Sequence, residues 1–195
     1  MKASLWRRLF AYIIDIILVS LLVSVICSAL PKSKSLYNEE LNSLQNQLIN
    51  GDISAQKYIE EYKVILYNNN KDNIVETTVS LLLIIGYFVV FQYMNNGQTI
   101  GKRLFKIRVV DNVTDKSPTI IKGFARTIIV FNIISGFLSS ILINYMSKST
   151  YISSYITISE IEYLLEIVSF IYMIFRKDGR GIHDLISNTK VIEER

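Results

Sequence analysis

Arg8 and Asp15 stand seven residues apart in the first apolar stretch of the chain, and Arg126 opens a later one. Seven residues make two helical turns, so Arg8 and Asp15 share one helix face about 10 Å apart along its axis. An ionised carboxylate at that depth in a bilayer costs about 2.5 to 3.5 kcal/mol when unpaired. Asp15 must therefore face other helices and find a cation or a proton. Arg126 enters from the same side as Arg8, which makes Arg8, Asp15 and Arg126 the expected members of one buried polar cluster. Such a cluster either fixes helix packing or carries an ion or proton, and the residue pattern leaves both open. Arg8 alone would do no more than anchor its helix at the headgroups.

Other chemistry is thin. Gly97-Gln98-Thr99-Ile100-Gly101-Lys102 differs from a Walker A loop, which needs four residues between its glycines and Ser or Thr after the lysine. Here Arg103 follows, so the two glycines read as a tight turn and residues 102–111, mixing basic and apolar types, as a membrane-surface segment. His183 is the single histidine and reads as a local hydrogen-bond partner. Cys27, the single cysteine, lies within an apolar run and cannot close an intramolecular disulfide. No nucleophile and base pair, metal set or cofactor loop emerges, so neither an enzyme, a metal site nor a bound cofactor is expected.

The elements that position these residues follow from how the apolar half of the chain is distributed. The protein has 195 residues, 50% hydrophobic and 19% charged, with 2 prolines and 8 glycines, which excludes disordered and collagen-like classes. Its apolar residues are massed. Residues 9–30 carry Asp15 as their only charge, 77–93 and 127–145 carry none, and 155–175 carry Glu160, Glu162 and Glu166 in their first half. The first three read as helices across a hydrocarbon layer of about 30 Å; the fourth spans it if its glutamates sit at the interface or face other helices, the alternative being an interfacial helix. The expected fold is all-α: a polytopic bundle of about four transmembrane helices, residues 1–195 forming one membrane domain. Lys2, Arg7 and Arg8 before the first run also suit a signal peptide, but Asp15 interrupts the run and Val25-Ile26 before Cys27 lack the small residue of a lipoprotein cleavage site. A retained helix is expected.

Basic residues set the orientation. They gather at the N-terminus, between the second and third runs and in the tail, whereas acids outnumber lysines over 31–76. Both termini are then cytoplasmic and 31–76 is an extracytoplasmic insertion. Within it, Leu41, Leu44 and Leu48 recur at helical spacing, Asn50-Gly51-Asp52 signals a turn and Ser54 can cap a second helix, a helical hairpin ending in an Asn68-Asn69-Asn70 linker. The net charge of +4 thus conceals a basic cytoplasmic face that suits anionic lipid rather than nucleic acid.

Arg8-x-x-Ala11-x-x-x-Asp15, Gly97-x-Thr99-x-Gly101-Lys102, Val109-Val110-Asp111, Arg126, and His183-Asp184 with Thr189 and Val191 occur in an order that resembles the RDD family of membrane proteins. The family is named for an arginine and two aspartates; the resemblance implies Arg8 and Asp15 for the first two and Asp184 for the third. It covers residues 6–30 and 77–192 and leaves the 31–76 insertion unexplained. It further implies a multi-pass plasma-membrane protein that moves a small cation, by sodium/proton antiport, or another small ligand. Four helices are few for alternating access, so a homo-oligomer or a partner membrane protein is expected. The alternative is a non-transporting scaffold or accessory subunit whose outer hairpin recruits a partner protein.

Overall fold

The computed structural model describes residues 2–29 and 36–194. Helix α1 (Leu5–Ser28) begins where the Ser4 hydroxyl accepts from the Arg7 backbone N–H. Its buried residues, Ala11, Asp15 and Val19, recur every four positions, while Ile13, Ile17, Leu21 and Val25 are exposed. Small and polar residues inward with large apolar ones outward is the reverse of a soluble amphipathic helix, and it fits lipid as the outer solvent.

The 31–76 insertion forms the expected hairpin, α2 (Tyr37–Ile49) and α3 (Ala55–Asp72), turned at Gly51 with φ +78° and restarted by Ser54, which accepts from Lys57 N–H. Residues 30–35, where the first run ends and the insertion begins, lie outside the described residues. The Asn68-Asn69-Asn70 linker is instead helical. Asn70 Nδ2 donates to Tyr151 Oη at 3.0 Å and Asn73 Nδ2 to Asn69 O at 2.9 Å, so the amides are used as packing contacts rather than as breakers.

Helix α4 (Ile74–Ile85), a π-helical turn (Gly86–Phe91) and α5 (Gln92–Met94) make one rod, Ile74–Met94. The wider turn brings Phe88, Val89 and Gln92 into the interior. Then come α6 (Ile100–Leu104), β1 (Ile107–Asp111), α7 (Ile120–Val130), α8 (Ile133–Ser140), a 3₁₀ turn (Leu142–Asn144), α9 (Lys148–Phe175), α10 (Ile182–Ile186) and β2 (Thr189–Glu193).

Two expectations are corrected here. Residues 107–111 are a largely buried strand, not a membrane-surface segment: β1 pairs antiparallel with β2, Val109 opposite Val191, and Ala3 N–H donates to Val191 O at 3.1 Å. Ile107, Val109 and Val191 pack with Ala3 and Ala11, so this ribbon closes one end of the bundle and the chain is mostly helical rather than all-α. The 127–145 run is also not one straight helix. It breaks at Asn132, in the left-handed region at φ +49°, and α7 and α8 meet at 83°. The break exposes the first N–H groups of α8, and the Glu162 carboxylate accepts from Ile134 N–H at 2.8 Å and Ser135 N–H at 3.1 Å.

Leu5–Ser28 and Ile74–Met94 are long and apolar enough to cross a membrane, and the bent pair of α7 and α8 would be a third span. Helix α9 has 28 residues, started by the Ser147 hydroxyl, and keeps its three glutamates.

Candidate functional site

Asp184 lies at the centre of the interior charges. The tail turns at Gly179, φ +65°, and α10 begins at Gly181, whose N–H donates to Asp184 at 3.2 Å. Arg8 Nη2 donates to the same carboxylate at 2.6 Å, and Arg126 Nη1 donates to its other oxygen. Arg8 also donates to the Gly179 carbonyl, and Arg126 to Thr189 Oγ1 at 3.3 Å. α1, α7, α10 and the start of β2 are thereby tied to one fully buried anion. His183 sits beside it, Nδ1 2.7 Å from Ser169 Oγ and Nε2 3.4 Å from Asp184. Burial, with the positive charges of Arg126, Arg8 and Lys102, holds its pKa well below the ordinary value, so the imidazole is neutral at pH 7.

Asp15 forms a separate centre, also fully buried. Thr99 Oγ1 donates to it at 2.5 Å, Tyr87 Oη at 2.6 Å and Gly101 N–H at 2.8 Å. The glycine and threonine motif is therefore a carboxylate cradle. Thr99 caps α6, accepting from Lys102 N–H, while its hydroxyl proton goes to Asp15. A side chain at Gly101 would put its Cβ 2.2 Å from Ala11 O, so only glycine lets the two backbones approach. Gly97, at φ +84°, fixes the loop to the ribbon, accepting from Val109 N–H at 2.9 Å.

The expected trio is thus divided. Arg8 and Arg126 come together as predicted, but the anion between them is Asp184, and Asp15 is held by neutral donors. Lys102 lies between the two centres, its Nζ donating to Gln92 Oε1 at 2.5 Å and 5.8 Å from the centroid of the Phe88 ring. Burial and the charges of Arg126 and Arg8 push this lysine down to about 7, against the opposing effect of Asp15. Between about pH 7 and its unfolded value the unfolded chain holds a proton that the folded one has released, so stability rises with pH across that window. Unfolding midpoints measured from about pH 7 to about pH 10 are expected to climb, and Lys102→Met to flatten the climb; parallel curves would show that Lys102 keeps its proton.

Arg8, Asp15, Lys102, Arg126 and His183 line a cavity of about 380 Å³ between α1, the π-helical turn, α7 and α9. Tyr12 Oη of α1 donates across it to Glu166 of α9 at 3.4 Å. Tyr87, Gln92 and Ser169 belong to the site and are not evident from the sequence motifs. Gln92 carries a readable signal, as a polar side chain within an apolar run; Tyr87 carries none.

No match is found among curated proteins or among solved structures. The family model for the RDD family matches residues 2–188, which takes in Arg8, Asp15, the glycine and threonine cradle, Arg126 and Asp184. The chain belongs to the RDD family.

Proposed function

We propose that this protein is a multi-pass plasma-membrane transporter, with four spans and both termini in the cytoplasm, that moves a small ligand through the cavity with proton coupling. The observation that carries this reading is the convergence of Lys102 and Glu166 on one cavity inside the bundle. Buried ionisable groups are costly in a membrane protein and mark ion, proton or substrate routes. The fourth span is supported by the length of α9, about 42 Å, and by Glu162 turning inward onto α8. Orientation rests on the basic residues of the termini and of the 102–126 segment.

Arg8, Lys102 and Arg126 on the cavity wall oppose a bare metal cation, so a ligand other than sodium is favoured. Asp15, already accepting from three donors, is better suited to holding α6 than to exchanging protons, and the proton role falls to Glu166 and Lys102. The test is proton flux in vesicles bearing a pH gradient, with sodium, potassium or hexane-1-sulfonate added on one side. Flux driven by at least one of them, reduced about tenfold or more in Glu166→Gln, is expected. Absence of flux with all three from folded protein would overturn transport and favour the scaffold reading. That reading is supported by the Arg8–Asp184–Arg126 lock and by the outer hairpin, and crosslinking in native membranes with and without residues 36–67 would then show a partner dependent on the hairpin.

A further inference from the structure

Three cations, Arg8, Lys102 and Arg126, gather on the cavity wall. Arg8 and Arg126 share a single anion, Asp184. Asp15 lies near Lys102, but its hydrogen bonds come from Tyr87, Thr99 and Gly101. When Lys102 is protonated, Arg8, Lys102 and Arg126 face the cavity together with the carboxylates of Asp15 and Glu166, and Asp184 lies behind the two arginines, His183 being neutral. The Lys102 ammonium has three N–H groups, and Gln92 is the one acceptor within hydrogen-bond distance among the described residues. Glu166, on α9 against Tyr12, is the further carboxylate of the cavity. An anion that arrives with a proton, taken by Glu166 or Lys102, leaves the total charge unchanged.

The remaining lining is apolar. Phe88 and Phe131 stack with centroids 4.0 Å apart, and α9 adds Ile167, Phe170 and Met173. Ile167 and Phe170 are each 41% exposed on the outer face of α9, so the cavity reaches the surface that lipid covers. Its volume of about 380 Å³ falls within the range of sites that enclose a small organic molecule.

We infer that this cavity binds a single-chain amphipathic monoanion, an alkyl carboxylate, with its head at Lys102 beside Arg8 and Arg126 and its chain along Ile167, Phe170 and Met173. This deepens the transport reading by naming the class of ligand. A charged head alone would leave the aromatic and aliphatic wall unused, and an apolar molecule alone would leave the Lys102 ammonium with Gln92 as its one acceptor and two N–H groups unmatched.

The experiment uses the full chain in nanodiscs of zwitterionic lipid, labelled with a dodecanoate that carries a photoreactive group in its chain. Labelled residues are mapped, and the label is competed with dodecanoate, dodecanol or dodecyltrimethylammonium. The expected result is labelling within residues 163–173 that dodecanoate displaces at concentrations about tenfold or more below those needed of the alcohol or the ammonium. Lys102→Gln is expected to weaken labelling about tenfold. Should that variant not fold, the three competitors on the native chain still decide. Equal displacement by all three, or labelling that falls outside the cavity, overturns the inference. Loss of labelling in phosphatidylglycerol nanodiscs also overturns it, by showing that a two-chain bilayer lipid is the occupant. Flux without binding would remove this ligand class and leave transport standing; binding without flux would do the reverse.

Discussion

Asp184→Asn is expected to cost about 3 to 5 kcal/mol of stability, the range for removing one partner of a buried ion pair. The amide has the shape of the carboxylate but none of its charge. Arg8 and Arg126, with side chains 9% and 13% exposed, would be left facing one another without an anion, and the Gly181 N–H at the start of α10 would lose a charged acceptor. Because four elements meet at this carboxylate, the loss should not remain local. α10 and β2 are expected to detach, and with β2 the ribbon that holds Ala3 and β1. The measurement is equilibrium unfolding in one detergent, alongside Arg7→Gln. Arg7 is 46% exposed and pairs with Glu193 at 3.5 Å on the surface, where such a pair is worth about 0 to 1 kcal/mol. Similar costs for the two variants would show that Asp184 is not the anchor of the tail.

How far the sequence discloses this arrangement depends on the sequence distance between partners. The hairpin of α2 and α3 is legible because Ser54, Gly51 and the leucine spacing act within a few residues of one another. The burial of Asp15 is legible from a single charge in an apolar run. The anion between Arg8 and Arg126 is not, since Asp184 lies 176 residues from Arg8 and the nearer aspartate on the same helix face is the more obvious candidate. The ribbon is hidden for the same reason: β1 and β2 have five residues each, too few for a clear alternation, and pair only through tertiary structure. The break at Asn132 has a local cause that the hydropathy of 127–145 masks, because asparagine tolerates the left-handed region and Glu162 satisfies the freed N–H groups from another helix. The glutamates of α9 do carry a pattern. Glu162, Glu166, Ser169 and Met173 fall on one helix face, and that face is the one turned to α8 and the cavity.

The second large effect is expected at Gly101, where one methyl group tests whether the cradle of Asp15 depends on close backbone approach. The added Cβ in Gly101→Ala would lie 2.2 Å from Ala11 O and 2.8 Å from Asp15 Oδ1. Neither can yield cheaply, since the first is backbone in the middle of α1 and the second is held by Tyr87 and Thr99. α6 must therefore back away from α1, which lengthens the Gly101 N–H bond to Asp15 and pulls Thr99 with it. Overpacking of this kind costs about 1 to 3 kcal/mol, and a weakened hydrogen bond to a buried carboxylate adds about 1 to 3 more. Gly86→Ala is the matched control. Nothing lies within 4 Å of the Cβ it would add, and alanine is the better helix former, so its effect should be neutral or slightly stabilising. If unfolding places Gly101→Ala within about 1 kcal/mol of Gly86→Ala, α6 can move away from α1 at little cost. The Gly-x-Thr-x-Gly-Lys segment would then be a hinge rather than a fixed support for Asp15.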